Sequence, residues 1–290
     1  MKNLVFIVNP KAGVQRVKEI QNAIEASIDR TRFHTEIVTT QYAKHGAELA
    51  RKAAENGAYA VIAVGGDGSV NDVVDGLEGS DAILGILPLG SGNGLARTLN
   101  IPLELNNAMA VINQGKTLFM DVAMVNDRKF LSNAGVAFDA LIAQVFASSD
   151  KRGFTTYSWL VLKHFWNYTV RNYQIEFDGK TINRDAFLVV VANAKQFGYN
   201  FSIAPTADLS DGLLNLIILK KFPKWAVAGV VNSAMKGRLH LNKYVEHYTV
   251  KEVNIHHPEL TTLQTDGDAH PCAPNVYFRL KERKQQVFVP

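Results

Sequence analysis

Residues 58–74 read AYAVIAVGGDGSVNDVV, and this stretch decides the fold. It opens on an uncharged run, Ala58–Val64, short and rich in Val, Ile and Ala, as a strand buried on both faces should be. It passes through Gly65, Gly66 and Gly68 into a helical pattern. Glycines between a buried strand and a helix allow positive φ and close approach of backbone to a ligand. Asp67 among those amides is readily explained if a cation or hydroxyl needs it; the alternative is a glycine-rich turn with Asp as a helix N-cap.

Working outward, the same alternation recurs. Leu4–Val8, Glu36–Thr39 and Ala82–Leu87 read as further strands. Val14–Ile28 carries Val17, Ile20, Ile24 and Ile28 at helical spacing, and Ala47–Asn56 ends at Gly57, a plausible C-cap. Strand–helix alternation predicts a Rossmann-like α/β domain with a parallel sheet over residues 1–123. In such sheets ligands bind beyond the carboxyl ends of the strands. Two more strand ends are unusual. Asn9-Pro10-Lys11-Ala12-Gly13 is either a phosphate-holding helix start with Lys11 adding charge, or a turn with one surface lysine. Gly90-Ser91-Gly92-Asn93-Gly94 is neither a Walker loop nor a dinucleotide fingerprint, since Leu95 follows it. Its other reading is a flexible loop in which Asn93 satisfies local backbone groups.

After Ala123 the rhythm changes. Arg171–Phe177, Thr181–Ala192, Leu213–Leu219, Tyr244–His256, Asn275–Leu280 and Gln285–Val289 alternate as strands, with turn signals at Asp178-Gly179 and Asp266-Gly267. Helical patterns interrupt them near Thr156–Tyr168 and Pro223–Lys236. Residues 124–290 thus predict an antiparallel β-sandwich, with the last strand able to pack back on the first domain.

Composition sets outer bounds. The chain has 290 residues, 47% hydrophobic and 20% charged, which disfavours disorder. A net charge of +4 does not announce a nucleic-acid binder, and none is expected. Cys272 is the single cysteine, so no internal disulfide forms and a reducing cytoplasm fits. The longest uncharged stretch, Ala82–Ala96, is broken by Pro88 and is shorter than the roughly 20 apolar residues of a membrane span. The run Leu4–Val8 is too short for a signal peptide.

The three loops together resemble the diacylglycerol kinase catalytic-domain family, which includes bacterial lipid kinases and the sphingosine and ceramide kinases. The resemblance runs the full length. Asn133–Ala140 is similar to the family's Gly-x-Gly-Phe-Asp segment, Ser210–Leu214 to its Asp-Gly-Leu segment, and Asp266-Gly267-Asp268 to its Asp-Gly-Glu. The resemblance implies ATP across the glycine loops, at Asn9 to Gly13, Thr40, Gly65, Gly66, Asp67, Gly68, Ser69, Val70, Asn71, Ser91, Gly92 and Asn93. It implies that Asp67 acts through Mg²⁺ and that Asp268 is the general base. It implies a structural Mg²⁺ site at Asp208, Asp211 and the Leu213 backbone, and a substrate-binding role for Asp139. Because Asp67 and Asp268 come from opposite halves, it also implies that the two halves meet at the active site.

Four positions depart from the pattern. Gly94 stands where many relatives have Asp, Asp72 where Glu is usual, and Asp208 where Lys is common. Asp268 replaces Glu and shortens the base by about 1.5 Å, a misplacement that can cost roughly 10²-fold in rate.

Two segments bear on an acceptor. Seven aromatics lie between Arg152 and Tyr173, among Lys151, Arg152, Lys163 and Arg171. Composition favours a core helix there, while the resemblance points to an apolar acceptor pocket. Gly212–Val245 holds Lys220, Lys221, Lys224, Lys236, Arg238 and Lys243 but no acid, as either a solvated surface or a stretch suited to an anionic membrane. The spacing of His256, His257, His270 and Cys272 matches no zinc pattern.

The reading is an ATP-dependent lipid kinase, cytoplasmic and peripheral to the inner face of the membrane, with a homodimer left open. The alternatives are an NAD kinase-like enzyme for a soluble acceptor and a non-catalytic nucleotide- or lipid-binding module.

Overall fold

The computed structural model describes residues 1–10, 17–149, 153–198 and 201–290, apart from the side chain of Phe154. Lys11, Ala12, Gly13, Lys151 and Arg152, singled out above, lie outside the described residues. The chain divides into two units, Met1–Met120 with Lys284–Pro290, and Asp121–Arg283.

In the first unit, strands β1 (Lys2–Val8), β2 (Phe33–Thr39), β3 (Ala60–Gly65) and β4 (Ile83–Pro88) pair in parallel in the order β2-β1-β3-β4. All of β3 and β4 is buried, which is why these strands read as unbroken apolar runs. Helices α1 (Val17–Ser27), α2 (His45–Glu55), α3 (Asp67–Gly76), α4 (Gly94–Thr98) and α5 (Leu105–Gln114) connect them. Ile20 and Ile24 are the buried face of α1. Helices α2 and α3 approach so closely that a β-carbon on Gly76 would collide with the Ala47 carbonyl. The last strand of the chain, Gln285–Phe288 (β19 in chain order), lies parallel to β4 and antiparallel to β5 (Thr117–Met120). Val287 and Phe288 are fully buried there, so burial brings the C-terminal strand into the first unit.

The second unit contains β6 (Ala123–Val125), β7 (Arg128–Phe130), β8 (Asn133–Ala137), α6 (Phe138–Ala147), α7 (Phe154–Phe165), β9 (Arg171–Phe177) and β10 (Lys180–Ala192). After the short hairpin β11 (Gln196–Gly198) and β12 (Phe201–Ser202) come β13 (Leu214–Lys220), α8 (Val227–Met235), β14 (Val245–Val250), β15 (Glu252–His256), β16 (Thr262–Thr265), β17 (Asp268–Pro271) and β18 (Asn275–Leu280). Strand β10 is the hinge of the sandwich. Its first half pairs with β9 and its second half lies between β8 and β13, with a register shift between Ala186 and Leu188. Alternate residues on the strands build the inner core: Tyr173, Ile175 and Phe177, Val189 and Val191, Leu216 and Ile218, Ile255, Val276 and Phe278. The opposite face of β10 and β13 is also buried, with Val190, Ile217 and Leu219 clustered with Val230 and Ala234 of α8. The segment Tyr244–His256, one strand by its alternation, is two, because the chain leaves β13 at Val250 and joins β9 and β18 from Glu252. Asp178 and Gly179 both have positive φ, at 48° and 73°, as a two-residue turn joining β9 to β10 requires.

Candidate active site

The carboxyl ends of β1, β3 and β4 are braced against one another. Asn9 Nδ2, after β1, donates to Ser69 Oγ in α3 at 3.1 Å. Gly66 and Gly90 touch backbone to backbone, with a β-carbon on Gly66 falling 3.1 Å from the Gly90 Cα. Asp67 Oδ1 accepts the Leu95 amide at 3.2 Å. These contacts are local consequences of glycine, since any side chain at 66 or 90 would drive the two loops apart.

The structure therefore gives Asp67 a reason to be there besides a cation. It is the first residue of α3, whose N-cap is Gly66, and its side chain caps the start of α4 instead. Asn93 lies at φ 51° and is 6% exposed. Its side chain closes on Gly90 through two bonds, Nδ2 to the Gly90 carbonyl at 2.7 Å and Oδ1 from the Gly90 amide at 3.0 Å. Arg97 Nε donates to the Gly92 carbonyl at 3.1 Å and stiffens the same loop, a contact that the sequence reading missed. The Val70 side chain is buried, so only its backbone can face a ligand. Thr40 follows β2, its amide bonded to the Val8 carbonyl at 2.9 Å, and Ser91 is exposed. Asp72 pairs with Lys44 Nζ at 3.1 Å. A β-carbon on Gly68 would meet nothing within 4 Å, whereas one on Gly65 would strike Ser69. An exposed glycine beside open space, at the amino end of α3, fits a triphosphate chain.

In the second unit, Asp266 accepts three backbone amides: Leu131 at 2.8 Å, Ser132 at 2.8 Å and Asn133 at 3.0 Å. Asp266 and Gly267 have φ of 50° and 90° and turn β16 into β17. Asp268 is the first residue of β17 and is exposed. Asp266 thus fixes the hairpin that carries Asp268.

Asp139 stands in the first turn of α6 and is 7% exposed. Gln264 Nε2 donates to its Oδ2 at 2.6 Å and to Asn133 Oδ1 at 2.8 Å, while Gln264 Oε1 accepts the Gly267 amide at 2.8 Å. Burial pushes the Asp139 carboxyl up to about 7, against the opposing pull of the Gln264 bond. Ala137, just before α6, holds φ 73° and ψ −133°, a conformation that favours glycine and falls where the resembling motif has one.

Asp208 accepts the amide and hydroxyl of Ser210 at 2.9 and 2.7 Å, and Asp211 accepts the Leu213 amide at 2.9 Å. Sequence reasoning missed Asp121. It is 1% exposed, its Oδ2 accepts the Gly212 amide at 2.8 Å, and its amide donates to the Leu209 carbonyl at 2.6 Å. An acid inside the apolar run from Leu118 to Val125 was the available signal. Among the described residues no group of three or more His, Cys, Asp or Glu side chains gathers as a metal cage. The Asp208 and Asp211 carboxylates and the Leu213 carbonyl are hard-oxygen donors, the kind that Mg²⁺ takes with water completing its shell.

Comparison with known proteins adds an independent line. Residues 3–125 match the model of the diacylglycerol kinase catalytic domain, and residues 133–286 that of the YegS C-terminal NAD kinase beta sandwich-like domain. A protein of Chromohalobacter salexigens named "Probable lipid kinase YegS-like" is 30% identical over 92% of this chain and 86% of its own length. The diacylglycerol kinase of Bacillus subtilis is 29% identical over 97% of this chain and 94% of its own. A solved diacylglycerol kinase structure from Bacillus anthracis superposes at TM-score 0.76 with 21% identity, covering 100% of this chain and 97% of that one. An NAD kinase from Archaeoglobus fulgidus shares the fold at TM-score 0.58 and 13% identity, covering 99% and 93%. The chain belongs to the family of diacylglycerol kinases and YegS-like lipid kinases.

Proposed function

We propose that the protein transfers the γ-phosphate of ATP to the hydroxyl of a lipid such as diacylglycerol or a sphingoid base. The observation that carries this reading is the bracing of three strand-end loops by Asn9–Ser69, Gly66–Gly90 and Asp67–Leu95. Phosphoryl transfer depends on fixed positioning and electrostatics more than on covalent chemistry, and braced amides at a helix start provide the first.

In this reading the first turn of α3 and the loops around Asn9 and Ser91 hold the triphosphate. Asp67 holds the cation that accompanies ATP; Mg²⁺, when bound, neutralises phosphate charge. Asp268, an exposed carboxylate on a pinned hairpin, takes the proton from the acceptor hydroxyl. The hydroxyl oxygen then forms its bond to the γ-phosphorus as the bond to the ADP oxygen breaks. Asp139, half-protonated near neutral pH, offers a hydrogen bond to the polar end of the acceptor. Asp208, Asp211 and the Leu213 backbone hold a second, structural cation.

The test is radiolabelled ATP with the folded chain, Mg²⁺, and a panel of neutral and sphingoid lipids in mixed micelles, with NAD as a soluble competitor. Labelled phospholipid is the expected product. Labelled NADP without labelled lipid moves the acceptor to the soluble class, and no labelled product overturns the reading.

A further inference from the structure

Gln264 is 1% exposed, and both polar atoms of its side chain are engaged. The Gly267 amide, which can only donate, lies 2.8 Å from Oε1. That contact fixes the orientation of the side-chain amide, because turning it over would set N–H against N–H. Nε2 therefore faces two oxygens, Asn133 Oδ1 at 2.8 Å and Asp139 Oδ2 at 2.6 Å, with one hydrogen for each.

The two oxygens of Asp139 are made unlike by this contact. Oδ2 accepts an N–H whether the carboxyl is ionised or neutral, and a β-carbon on Gly135 of β8 would stand only 2.7 Å from it. A proton on the carboxyl thus belongs on Oδ1. Among the described residues no other hydrogen bond reaches Asp139, and Oδ1 is not one of the sealed, partnerless atoms. Oδ1 is the atom left for an acceptor to meet.

The same amide holds the turn that carries Asp268. Gly267 precedes Asp268, and Asn133 gives its amide to Asp266 Oδ1 at 3.0 Å while its carbonyl takes the Asp266 amide at 2.8 Å. Gln264, Asn133, Asp266 and Gly267 form one closed set of hydrogen bonds, with Asp139 on one side and the β16–β17 turn on the other. Few charges face Asp139 from the elements packed on α6. Strands β8 and β16 and the Leu188–Ala192 half of β10 carry none. Strand β17 brings Asp268 and His270, whose Nε2 lies 3.0 Å from Thr265 Oγ1. Helix α7 brings Tyr157, whose phenol is held above its ordinary value by burial and by the Asp139 charge, and Lys163 and His164 in its last turn.

We propose that Gln264 is a positioning residue of the phosphotransfer site, presenting Asp139 Oδ1 to the acceptor and fixing the Asp268 turn with one side-chain amide. This rests on the lipid kinase reading and adds to it the residue that ties acceptor binding to the base. The Gln264 N–H favours the ionised carboxyl, so its loss keeps the proton on Asp139 to higher pH.

The test compares Gln264→Met, which removes all three bonds, with Gln264→Glu, which keeps an oxygen for the Gly267 amide. Carbon-13 NMR of the Asp carboxyls in the full chain, without ATP or acceptor, follows Asp139, assigned with Asp139→Asn. The parent is expected to titrate at about 7. Both variants titrate at higher pH, in Gln264→Glu because two adjacent carboxyls resist ionising together. Steady-state kinetics then uses ATP with diacylglycerol in mixed micelles, or with sphingosine should diacylglycerol fail. Both variants raise the acceptor KM about five-fold and leave the ATP KM unchanged; kcat falls about ten-fold in Gln264→Met and less than about three-fold in Gln264→Glu. The pH at which the acceptor kcat/KM breaks moves upward with the titration, which a loss of folded enzyme alone does not do. If Gln264→Met fails to fold, Gln264→Glu carries the same pH and KM outcomes. An unmoved Asp139 titration, or an acceptor KM and pH profile equal to the parent's, overturns the inference. No turnover of either lipid by a parent whose Asp139 titrates as stated overturns the phosphotransfer reading instead, and the positioning role falls with it.

Discussion

Gly66 and Gly90 meet so closely that a β-carbon on Gly90 would stand 2.5 Å from the Gly66 Cα. Two loops 24 residues apart in sequence are therefore one structural object, with Asn93 and Leu95 tied into it.

The first prediction contrasts two glycines. Gly90→Ala forces backbone apart and costs roughly 1–3 kcal/mol of stability, read by denaturant unfolding of the full chain. Gly68→Ala has open space and leaves stability within about 1 kcal/mol. If the triphosphate passes over α3, Gly68→Ala still weakens ATP binding in a titration.

Asp67 separates cap from charge. Asp67→Ala removes the acceptor for the Leu95 amide and costs roughly 0.5–2 kcal/mol. Asp67→Asn keeps an oxygen acceptor, unfolds like the parent, and loses at least about 10²-fold in phosphotransfer rate. Full activity in Asp67→Asn would remove the proposed cation role.

Asp266 and Asp268 are two residues apart with opposite expectations. Asp266→Ala strands three buried or half-buried amides and costs roughly 2–5 kcal/mol. Asp268→Asn, at an exposed position, leaves the unfolding midpoint unchanged and lowers kcat roughly 10²- to 10⁴-fold. Unchanged kcat in that variant would remove Asp268 as the base.

Asp139 makes stability depend on pH. Its carboxyl is raised from 3.8 to about 7 in the folded chain. The folded state therefore holds a proton that the unfolded state releases. Its stabilising contribution is complete below about pH 4 and is lost as pH rises through 7, at most roughly 4 kcal/mol. Asp139→Asn should flatten that decline between pH 4 and 8 in pH-dependent denaturant melts.

Ala137 holds φ 73° at the turn into α6. Ala137→Gly relieves that strain against the entropy of an added glycine, for a net gain of about 1 kcal/mol and a rise of roughly 2–4 °C in Tm.

Much of the architecture was legible because it is periodic. Ala60–Gly65 and Ile83–Pro88 announced themselves as apolar runs because both faces of the sheet are covered. Asp178-Gly179 announced its hairpin because few residues adopt positive φ in succession. The join at Lys251 was hidden, since alternation continues smoothly from Val250 to Glu252 while the pairing partner changes. Asp121 was overlooked although an acid breaking the apolar run from Leu118 to Val125 marked it, because nothing in the sequence links it to the distant Gly212 amide.

By itself the sequence marked two stretches of different period, the loops at three strand ends, and the acids Asp67, Asp139, Asp211, Asp266 and Asp268 as candidates. Only the tertiary structure decided what those acids touch. Asp67 meets an amide 28 residues away, Asp139 meets Gln264 at a separation of 125, and Asp266 takes amides 133–135 residues distant. The return of Gln285–Phe288 to β4 and β5 is of the same kind. The physical reason is that every non-proline residue offers the same backbone donor, and a lone Gln such as Gln264 is one of many side-chain donors, so a carboxylate's partner carries no signature of its own. Packing of apolar faces chooses which distant amide arrives within reach.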